Sequence, residues 1–375
     1  MARLSIVCRG MLVLILAGVA LVADQAARAA DVYTDSVEHA IAYLQSAQAP
    51  NGSFGANVGA TAGPGVTAVV AEALLRVGRS PDDPLVAKSL KYLESFVQPD
   101  GAVAPPKSGV RNYETSLALM CFVEANRNGR YDKIIKNAEK FLKANQWAEA
   151  QGQDKASPAY GGAGYGKHMR PDLSNTQFLI EALKAAGAGP NDEAMKKALI
   201  FVSRCQNLES ANNTLPVAAK NPDGGFYYTA AAGGESPAGK TDNGGLRSYG
   251  SMTYAGLKSM IYAGVGPDDP RVKAAMKWIE KHYDLTSNPG MGAAGLYYYY
   301  QTVAKSLAAA GVKELTDANG KKHDWRSELV AELAKRQLRD GSWVNTASRW
   351  MEGDPALVTG YALLTLSYCK PEDKK

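Results

Sequence analysis

The stretch YLQSAQAPNGSF, residues 43–54, places an aromatic–Leu pair before a Gln, and then a Gly shortly before a second aromatic residue. LAKRQLRDGSW, residues 333–343, repeats the order Leu, Gln, Gly and aromatic near the other end of the chain. Four partial copies lie between these two: Tyr92-Leu93 with Gln98 and Gly101, Phe141-Leu142 with Gln146, Phe201-Val202 with Gln206, and Trp278-Ile279 with Tyr283 in place of Gln. A block that recurs six times in this way predicts an array of helical repeats.

A second position recurs after each block. A Thr, or in one case a Tyr, stands seven residues before a large apolar residue: Thr67/Leu74, Thr115/Phe122, Thr176/Leu183, Thr253/Met260, Tyr300/Leu307 and Thr359/Leu366. The repeating unit is therefore predicted to be a helix, a Gly-containing turn and a second helix. First helices are expected near 34–47, 84–97, 131–146, 191–206, 270–283 and 324–338. Second helices are expected near 65–78, 113–126, 173–187, 250–264, 296–310 and 355–369.

The two predicted sets of helices differ in charge. The first helices contain 27 Asp, Glu, Lys and Arg residues, and the second helices contain 8. A helix with one charged face lies at a surface, whereas a helix that is apolar nearly all round is buried. The second helices are also rich in small residues, as in the run LAAAG at 307–311. We therefore expect the second helices to form an inner ring and the first helices an outer ring.

The ends of the array indicate whether it is open or closed. An open array needs terminal repeats with a polar outer face. The first inner helix contains TAVVA at 67–71 and the last contains LVTGYALL at 357–364, so both are as apolar as the helices between them. The predicted fold class is therefore all-α, a closed (α/α)6 barrel or toroid of six helix pairs, formed by residues 30–375 as a single domain.

The N-terminal segment is typical of a secretion signal. Arg3 and Arg9 precede an apolar run at 11–23, and Ala27-Arg28-Ala29 has the small-x-small pattern of a cleavage site. We expect residues 1–29 to be a signal peptide and the mature protein to be secreted or periplasmic. The run is shorter than a membrane span, so stable membrane insertion is not expected. Without residues 1–29 the formal charge falls from +5 to +3, which does not favour nucleic acid as a partner.

Three of the four cysteines lie in the predicted mature chain: Cys121, Cys205 and Cys369. None is in a CxxC spacing, and an odd number argues against a disulfide framework. We expect them to be small buried residues, with one disulfide and one free thiol as the alternative.

The repeated blocks resemble the Gln-Trp repeats of squalene-hopene and oxidosqualene cyclases, whose helical barrel is shared with the β-subunits of protein prenyltransferases. The resemblance covers residues 35–370 and is specific for the fold, but fold alone does not determine function. In that family the repeated Gln and aromatic residues tie the outer helix to the turn, which implies a structural role for them here.

The cyclases of this family protonate an alkene with an Asp-x-Asp-Asp motif at the start of an inner helix. The matching stretch here is Asp172-Leu173-Ser174-Asn175, in which Ser174 replaces the proton donor. Neither Ser nor Asn supplies the strong acid that alkene protonation needs. The resemblance therefore does not extend to the standard cyclase reaction.

The prenyltransferases of the family hold Zn²⁺ with Asp, Cys and His side chains. Their Asp-x-Cys motif matches Asn175-Thr176-Gln177 here, and the last predicted inner helix, 355–369, contains no His. We therefore expect no zinc site, no other metal and no cofactor.

The loops that precede the inner helices should converge on one mouth of the barrel. They carry aromatic rings, carboxylates and Arg side chains, which are the groups that line ligand cavities. The candidate catalytic residues are Asp172, Glu352 and Asp354. The candidate ligand-binding residues are Glu114, Arg170, Asn175, Tyr254, Tyr300, Arg349 and Trp350.

Several of these candidates also have a structural interpretation. Asp354 precedes Pro355 and suits a helix N-cap, and Ser174 suits the same role in the third inner helix. Glu114 is an acid in a first helical turn, where the helix dipole favours it. Residues 297–300 are four consecutive tyrosines, of which a helix directs one or two toward the cavity.

Three classes of function remain open. The family resemblance implies an enzyme or binding protein for an isoprenoid-like or other elongated apolar ligand. A polysaccharide lyase or hydrolase, with an oligosaccharide ligand and paired carboxylates such as Glu352 with Asp172 or Glu114, is the second class. A non-catalytic module that binds a protein partner is the third. The character of the cavity should distinguish them, since it is expected to be apolar, charged or filled, respectively.

Overall fold

The computed structural model describes residues 30–55, 63–167 and 169–371, so the predicted signal peptide lies outside the described residues. The outer helices are α1 (30–47), α3 (Pro84–Glu94), α5 (Asp132–Asn145), α7 (Glu193–Arg204), α9 (Pro270–His282) and α11 (Trp325–Arg336). The inner helices are α2 (Pro64–Arg76), α4 (Arg111–Ala125), α6 (Leu173–Ala185), α8 (Gly250–Tyr262), α10 (Leu296–Ala309) and α12 (Pro355–Ser367). All twelve predicted helices are confirmed, with ends that differ by a few residues.

The inner helices form a closed ring. Each packs against the next, and α12 packs against α2, which joins the last repeat to the first. Their residues are buried on almost every side, whereas the outer helices bury one face. The (α/α)6 toroid predicted from the apolar terminal helices is therefore confirmed. A short hairpin between α10 and α11, made of β1 (Leu315–Thr316) and β2 (Lys322–His323), was not predicted.

The repeated Gln connects neighbouring repeats. In the copy at the end of α7, Gln206 Nε2 donates to the carbonyl oxygen of Gly224 at 2.9 Å and to that of Arg271, in the next outer helix, at 2.8 Å. Gln337 closes the ring in the same way, because its Nε2 donates to Ser36 O in α1 at 2.9 Å. The nitrogen of a primary amide carries two N–H groups, so one Gln side chain can donate to two carbonyl oxygens at once. Here one of these carbonyl groups lies in the turn and the other lies near the start of the next outer helix, which explains why Gln recurs.

The Gly of the repeat is required where the turn passes close to the neighbouring outer helix. Gly341 has φ 89°, and a Cβ atom there would lie 2.2 Å from the carbonyl oxygen of His39. Both the left-handed backbone and the close approach exclude other residues.

The repeated Thr ties each turn to the inner helix that follows. Thr359 Oγ1 accepts a hydrogen bond from the backbone N–H of Trp343 at 3.2 Å, and Thr67 accepts from Phe54 N at 3.0 Å. The same bond joins Thr115, Thr176 and Thr253 to their turns. In the exceptional repeat, the Tyr300 hydroxyl donates to Leu285 O at 2.6 Å instead. The turns that follow Gln48, Gln146, Gln206 and Gln337 are thus bonded by Gln on the side of the outer helix and by Thr on the side of the inner helix.

Cys121, Cys205 and Cys369 are buried free thiols, as expected from their positions in helices. Within the described ranges, no helix is both long enough and apolar enough to cross a membrane.

Candidate functional site

The N-terminal turns of the inner helices meet around one cavity of about 220 Å³, which we call the rim pocket. Its wall is dominated by six tyrosines: Tyr113, Tyr165, Tyr228, Tyr249, Tyr298 and Tyr361. Phe178, Met252 and the hydroxyl-bearing residues Ser174 and Ser251 complete the wall. Trp350, Met351 and Glu352 line it from the loop before α12. The pocket is thus aromatic, with hydroxyl groups at a few points of its wall.

Two exposed apolar side chains stand at the edge of the rim pocket on a strained turn. Trp350 and Met351 have φ 57° and 65°, which L-residues rarely adopt, and they are 43% and 45% exposed. The guanidinium of Arg349 lies over the Trp350 ring, 4.4 Å from its centroid. Backbone strain of this kind persists where surrounding structure enforces it and is concentrated at functional sites.

Glu352 is buried beneath this turn. Its Oε1 accepts from the backbone N–H of Tyr298 at 2.7 Å, and its Oε2 accepts from Asn345 Nδ2 at 2.6 Å. The carboxylate therefore caps the start of α10, where the helix dipole favours negative charge. Burial nevertheless raises its pKa above the ordinary value. Of the described residues that line the pocket, Glu352 is the sole carboxylate.

Asp172 lies behind the pocket wall rather than in it. It is the N-cap of α6, where its Oδ1 accepts from Asn175 N at 2.8 Å and its Oδ2 from Asn175 Nδ2 at 2.7 Å. Burial raises its pKa to about 6, although the hydrogen bonds from Asn175 and Tyr228 oppose that rise. Both oxygens of Asp172 and the side-chain nitrogen of Asn175 are therefore used within this cap, and neither residue lines the rim pocket. Ser174, the alternative cap, lines the pocket, 3.1 Å from the Tyr298 hydroxyl.

The structural interpretation of Asp354 is confirmed. Its Oδ1 accepts from Ala356 N at 2.8 Å and from Leu357 N at 3.2 Å, which caps α12. Glu114 lies in the first turn of α4, and burial raises the pKa of its carboxyl. Neither carboxylate lines the rim pocket.

The candidate basic residues lie at the surface. Arg170 Nη1 is 2.8 Å from Glu235 Oε2 in an exposed ion pair and does not line the pocket. Arg349 is exposed next to Trp350, at the edge of the pocket.

The candidate tyrosines of α8 and α10 point elsewhere. Tyr254 is buried edge-to-face against Tyr299, with ring centroids 5.7 Å apart. Tyr300 is fully buried with its hydroxyl bound to Leu285 O. Of the four consecutive tyrosines, it is Tyr298 that lines the pocket. The expectation that only one or two of the four face the cavity agrees with this arrangement, and Tyr300, the candidate selected from the sequence, does not line the pocket.

Four charged side chains of the inner helices are buried in the lumen below the rim pocket. We call Glu72, Glu181, Lys258 and Lys305 the ionic layer. Lys258 Nζ contacts Glu181 Oε1 directly, Lys305 Nζ donates to Glu181 Oε2 at 2.9 Å, and Lys305 Nζ is 3.9 Å from Glu72 Oε1. All four side chains are at most 5% exposed. Two carboxyl groups and two lysine amines thus fill this level of the lumen, and Glu72 Oε1 also accepts from Arg76 Nε at 3.2 Å. Burial, and then the neighbouring Lys305, lower the pKa of Lys258 well below its ordinary value.

Gln177 connects the ionic layer to the rim pocket. Its Oε1 accepts from Lys258 Nζ at 2.5 Å and its Nε2 donates to the Tyr298 hydroxyl at 3.3 Å. Side chains therefore form the floor of the rim pocket, and the central part of the toroid is filled at this level.

The ionic layer has a recognisable pattern in the sequence. Each of its members stands five residues after the repeated Thr or Tyr: Thr67/Glu72, Thr176/Glu181, Thr253/Lys258 and Tyr300/Lys305. Equivalent repeat positions lie at the same level of a ring, so these charges could have been placed together. The low charge of the inner helices predicts that they are buried. It does not by itself show that their few charged side chains are paired with one another inside the lumen.

No group of three or more His, Cys, Asp or Glu side chains in the described parts of the chain is arranged to hold a metal ion.

Comparisons with known proteins support the fold. No family model matches the chain, and no curated protein matches it. Among solved structures, the apo form of the type II terpene cyclase MstE from Scytonema matches with TM-score 0.54 and 14% identity, over 91% of this chain and 98% of that chain. A variant of MstE bound to its substrate, geranylgeranyl dihydroxybenzoate, matches with TM-score 0.53 and 13% identity, over 92% and 99%. A structure described as a glycosidase matches with TM-score 0.52 and 16% identity, over 92% and 98%.

These matches to solved structures identify the fold. Nearly the whole of each matched chain aligns, so the protein has a terpenoid cyclase-like α/α toroid. One neighbour is a terpene cyclase and another a glycosidase, so the same architecture serves different chemistry. The function must therefore be argued from the site.

Proposed function

We propose that this chain is a secreted or periplasmic binding protein whose rim pocket takes the apolar end of an elongated, isoprenoid-like small molecule. The observation that carries the proposal is the rim pocket itself: six tyrosines, Phe178 and Met252 around a cavity, with Trp350 and Met351 exposed at its edge. Large exposed apolar side chains beside a concave aromatic surface are typical of ligand sites.

The size of the pocket supports partial rather than complete enclosure of the ligand. Its volume of about 220 Å³ is below the roughly 300–1,000 Å³ of sites that surround a drug-sized molecule. Gln177 and the ionic layer close the floor, so the ligand has no apolar path deeper into the lumen. The rest of an elongated ligand would therefore run outward over Trp350 and Met351.

The environment of the carboxyl groups favours binding over acid catalysis. Both Glu352 oxygens are occupied by donors, and both Asp172 oxygens are bound to Asn175. A general acid must reach the atom that it protonates. Asp172 is behind the pocket wall, and Glu352 acts as the cap of α10, so neither is free for that task.

A second candidate is a site for a sugar ring. The pocket wall presents the hydroxyls of Ser174 and Ser251 and several tyrosine hydroxyls, which suit a hydroxylated ligand stacked on aromatic rings. A glycosidase is among the structural neighbours. We rank this candidate second because the edge of the pocket, formed by Trp350 and Met351, is mainly apolar. The third candidate is a protein partner that binds the two exposed side chains Trp350 and Met351.

Ligand titration distinguishes the candidates. We expect farnesol to change the tryptophan fluorescence of the natural protein but not that of Trp350→Ala, and cellotetraose to have no effect at the same concentrations. Trp350→Ala should weaken farnesol binding, measured by calorimetry, by at least about tenfold, since full burial of a large apolar side chain contributes roughly 1.5–3 kcal/mol. Leu338→Ala is the matched control, because Leu338 is equally exposed at 46% but does not line the pocket. Binding of cellotetraose alone would move the assignment to the sugar candidate.

The proposed location has its own test. If residues 1–29 are a signal peptide, the mature protein recovered from its native host should begin at Ala30, as intact-mass measurement would show. A mass that includes residues 1–29 would contradict secretion through a cleaved signal.

A further inference from the structure

A second concave site lies on the outer side of the same rim. It is a cleft of about 760 Å³ between α5, the rim loop at 99–111 and residues 166, 167 and 169. We call it the outer cleft, and its polar residues include Asp100, Arg111, Asn112, Lys140, Gln151 and Lys167. It is more than three times as large as the rim pocket and is open to solvent. None of the candidates selected from the sequence lines it.

The outer cleft is biased toward positive charge. Arg111, Lys140 and Lys167 are basic, and Asp100 is the single acid among the described residues that line it. Asp100 is already paired, since Arg111 Nη2 donates to its two oxygens at 2.9 Å and 2.7 Å. Lys140 and Lys167 therefore remain as exposed cations that have no carboxylate of the cleft as a partner.

Asn112 presents a buried acceptor with no protein donor. The residue is 4% exposed, its backbone N–H donates to Tyr165 O at 2.9 Å, and its Nδ2 donates to Gly164 O at 3.2 Å. These two bonds fix the amide, yet its Oδ1 has no hydrogen-bond partner among the described residues. Arg111 Nε is likewise a buried donor without an acceptor in the described parts of the chain. An unpaired buried polar atom is unfavourable, so a ligand that reaches it and supplies the missing partner gains affinity.

The two kinds of unpaired group specify the chemistry of the ligand. Asn112 Oδ1 needs a hydroxyl or N–H donor, whereas Arg111 Nε and the two lysines need acceptors or negative charge. A molecule with both hydroxyls and carboxylates supplies all of these at once. The volume and openness of the cleft suit several linked sugar rings rather than a single anion. We propose that the outer cleft binds an acidic oligosaccharide of the uronic-acid type.

This site is separate from the rim pocket and does not depend on the function proposed for it. The segment 164–166 runs between them, with Tyr165 lining the pocket and Gly166 lining the cleft. That segment is held tightly, since a Cβ on Gly166 would lie 2.6 Å from Gly109 O. Ligands of the two sites should therefore bind independently of each other.

Isothermal titration calorimetry with trigalacturonate tests the proposal on the full mature chain. We expect binding that weakens in 0.5 M NaCl, and no binding of the neutral maltotriose. The double variant Lys140→Met/Lys167→Met should weaken trigalacturonate binding about tenfold, because two exposed ion pairs with the carboxylates of the ligand are lost. Lys133→Met, on the same helix but outside the cleft, should leave binding unchanged. No binding of trigalacturonate, or equal losses in the double variant and in Lys133→Met, would overturn the proposal.

Two further ligand comparisons distinguish the outer cleft from a purely electrostatic anion site and from the rim pocket. Tricarballylate has three carboxylates and no hydroxyl, so it should bind more weakly than trigalacturonate; equal affinity would show that Asn112 Oδ1 has no part in recognition and would overturn the sugar assignment. Trp350→Ala should leave trigalacturonate binding unchanged, while the double lysine variant should leave farnesol binding unchanged. Loss of trigalacturonate binding in Trp350→Ala would place it in the rim pocket and contradict a separate site.

Discussion

Lys305 Nζ donates to Glu181 Oε2 at 2.9 Å inside the lumen of the toroid, joining α10 to α6, the two inner helices that lie on either side of α8 in the ring. Lys258, from α8, contacts the other oxygen of the same carboxylate. Charges so deeply buried are tolerated only when they are paired, since each loses its hydration on folding. The lumen of this protein is therefore filled and braced by ion pairs, and the ligand-sized space is confined to the rim.

Replacing Lys305 with Met should strongly destabilise the protein. The substitution keeps the length of the side chain but leaves Glu181 with one cation for its two oxygens, and breaking a buried pair costs about 3–5 kcal/mol. Lys335→Met, on α11, removes an exposed lysine whose Nζ is 3.8 Å from Glu332 Oε2, and we expect it to change stability by less than about 1 kcal/mol. Urea unfolding of both variants measures the difference. Equal midpoints would show that the ionic layer is not a paired, buried network.

Gln206→Met should test whether the repeated Gln links neighbouring repeats. It leaves the carbonyls of Gly224 and Arg271 without their side-chain donor, at about 1–3 kcal/mol for each carbonyl left unsatisfied. Gln98→Met is the control, because Gln98 Nε2 donates only to Phe96 O, two residues away in its own repeat. If thermal unfolding shows the same loss of stability in Gln206→Met and Gln98→Met, the link between repeats does not depend on the Gln206 amide.

Thr359→Val tests the tie between turn and inner helix. The substitution preserves shape but removes the acceptor of the buried Trp343 N–H, so we expect a loss of about 1–3 kcal/mol in the free energy of unfolding. Thr302→Val is a matched change, since the Thr302 hydroxyl donates only to Tyr298 O and Tyr299 O within its own helix. Denaturant titration should show a smaller loss there; the reverse order would contradict the proposed reason for the repeated Thr.

Asp172 should make stability fall as pH rises. Its pKa in the folded protein is raised to about 6 from an ordinary 3.8, so the folded state holds the proton more tightly than the unfolded state does. The resulting stabilisation is present below pH 3.8 and is lost as pH rises through 6, by up to about 1.4 kcal/mol per pH unit in that window.

Asp172→Asn isolates this contribution, because Asn is an equally good N-cap and does not titrate. Unfolding free energies measured from pH 4 to 7 should fall more steeply with pH in the natural protein than in the variant. Parallel curves would mean that the Asp172 carboxyl titrates at its ordinary pKa.

Most of the fold could be predicted from sequence because each repeat uses the same residues for the same bonds. Gln and Thr recur at the positions equivalent to Gln206 and Thr359, because few other side chains can form hydrogen bonds with the carbonyl and N–H groups of a Gly-containing turn. The spacing of these residues placed every helix, and the apolar sequence of α2 and α12 predicted that the ring is closed.

The site was less predictable, because it depends on which side of a helix each residue faces. Tyr298 and Tyr300 differ by two positions, about 200° around the helix, and only the structure shows that Tyr298 lines the pocket. Asp172 and Glu352 are polar residues of converging loops, yet their oxygens serve as helix caps. Trp350 does lie at the pocket edge, where its place in the loop before α12 indicated that it would be.

Native mass spectrometry of the protein purified from its own host, with lipid extraction in parallel, tests the central claim most directly. We predict a co-purifying apolar molecule that is retained in Leu338→Ala and lost in Trp350→Ala. A natural protein that arrives without such a molecule and shows no mass shift with farnesol would contradict the assignment of the rim pocket to an isoprenoid-like ligand.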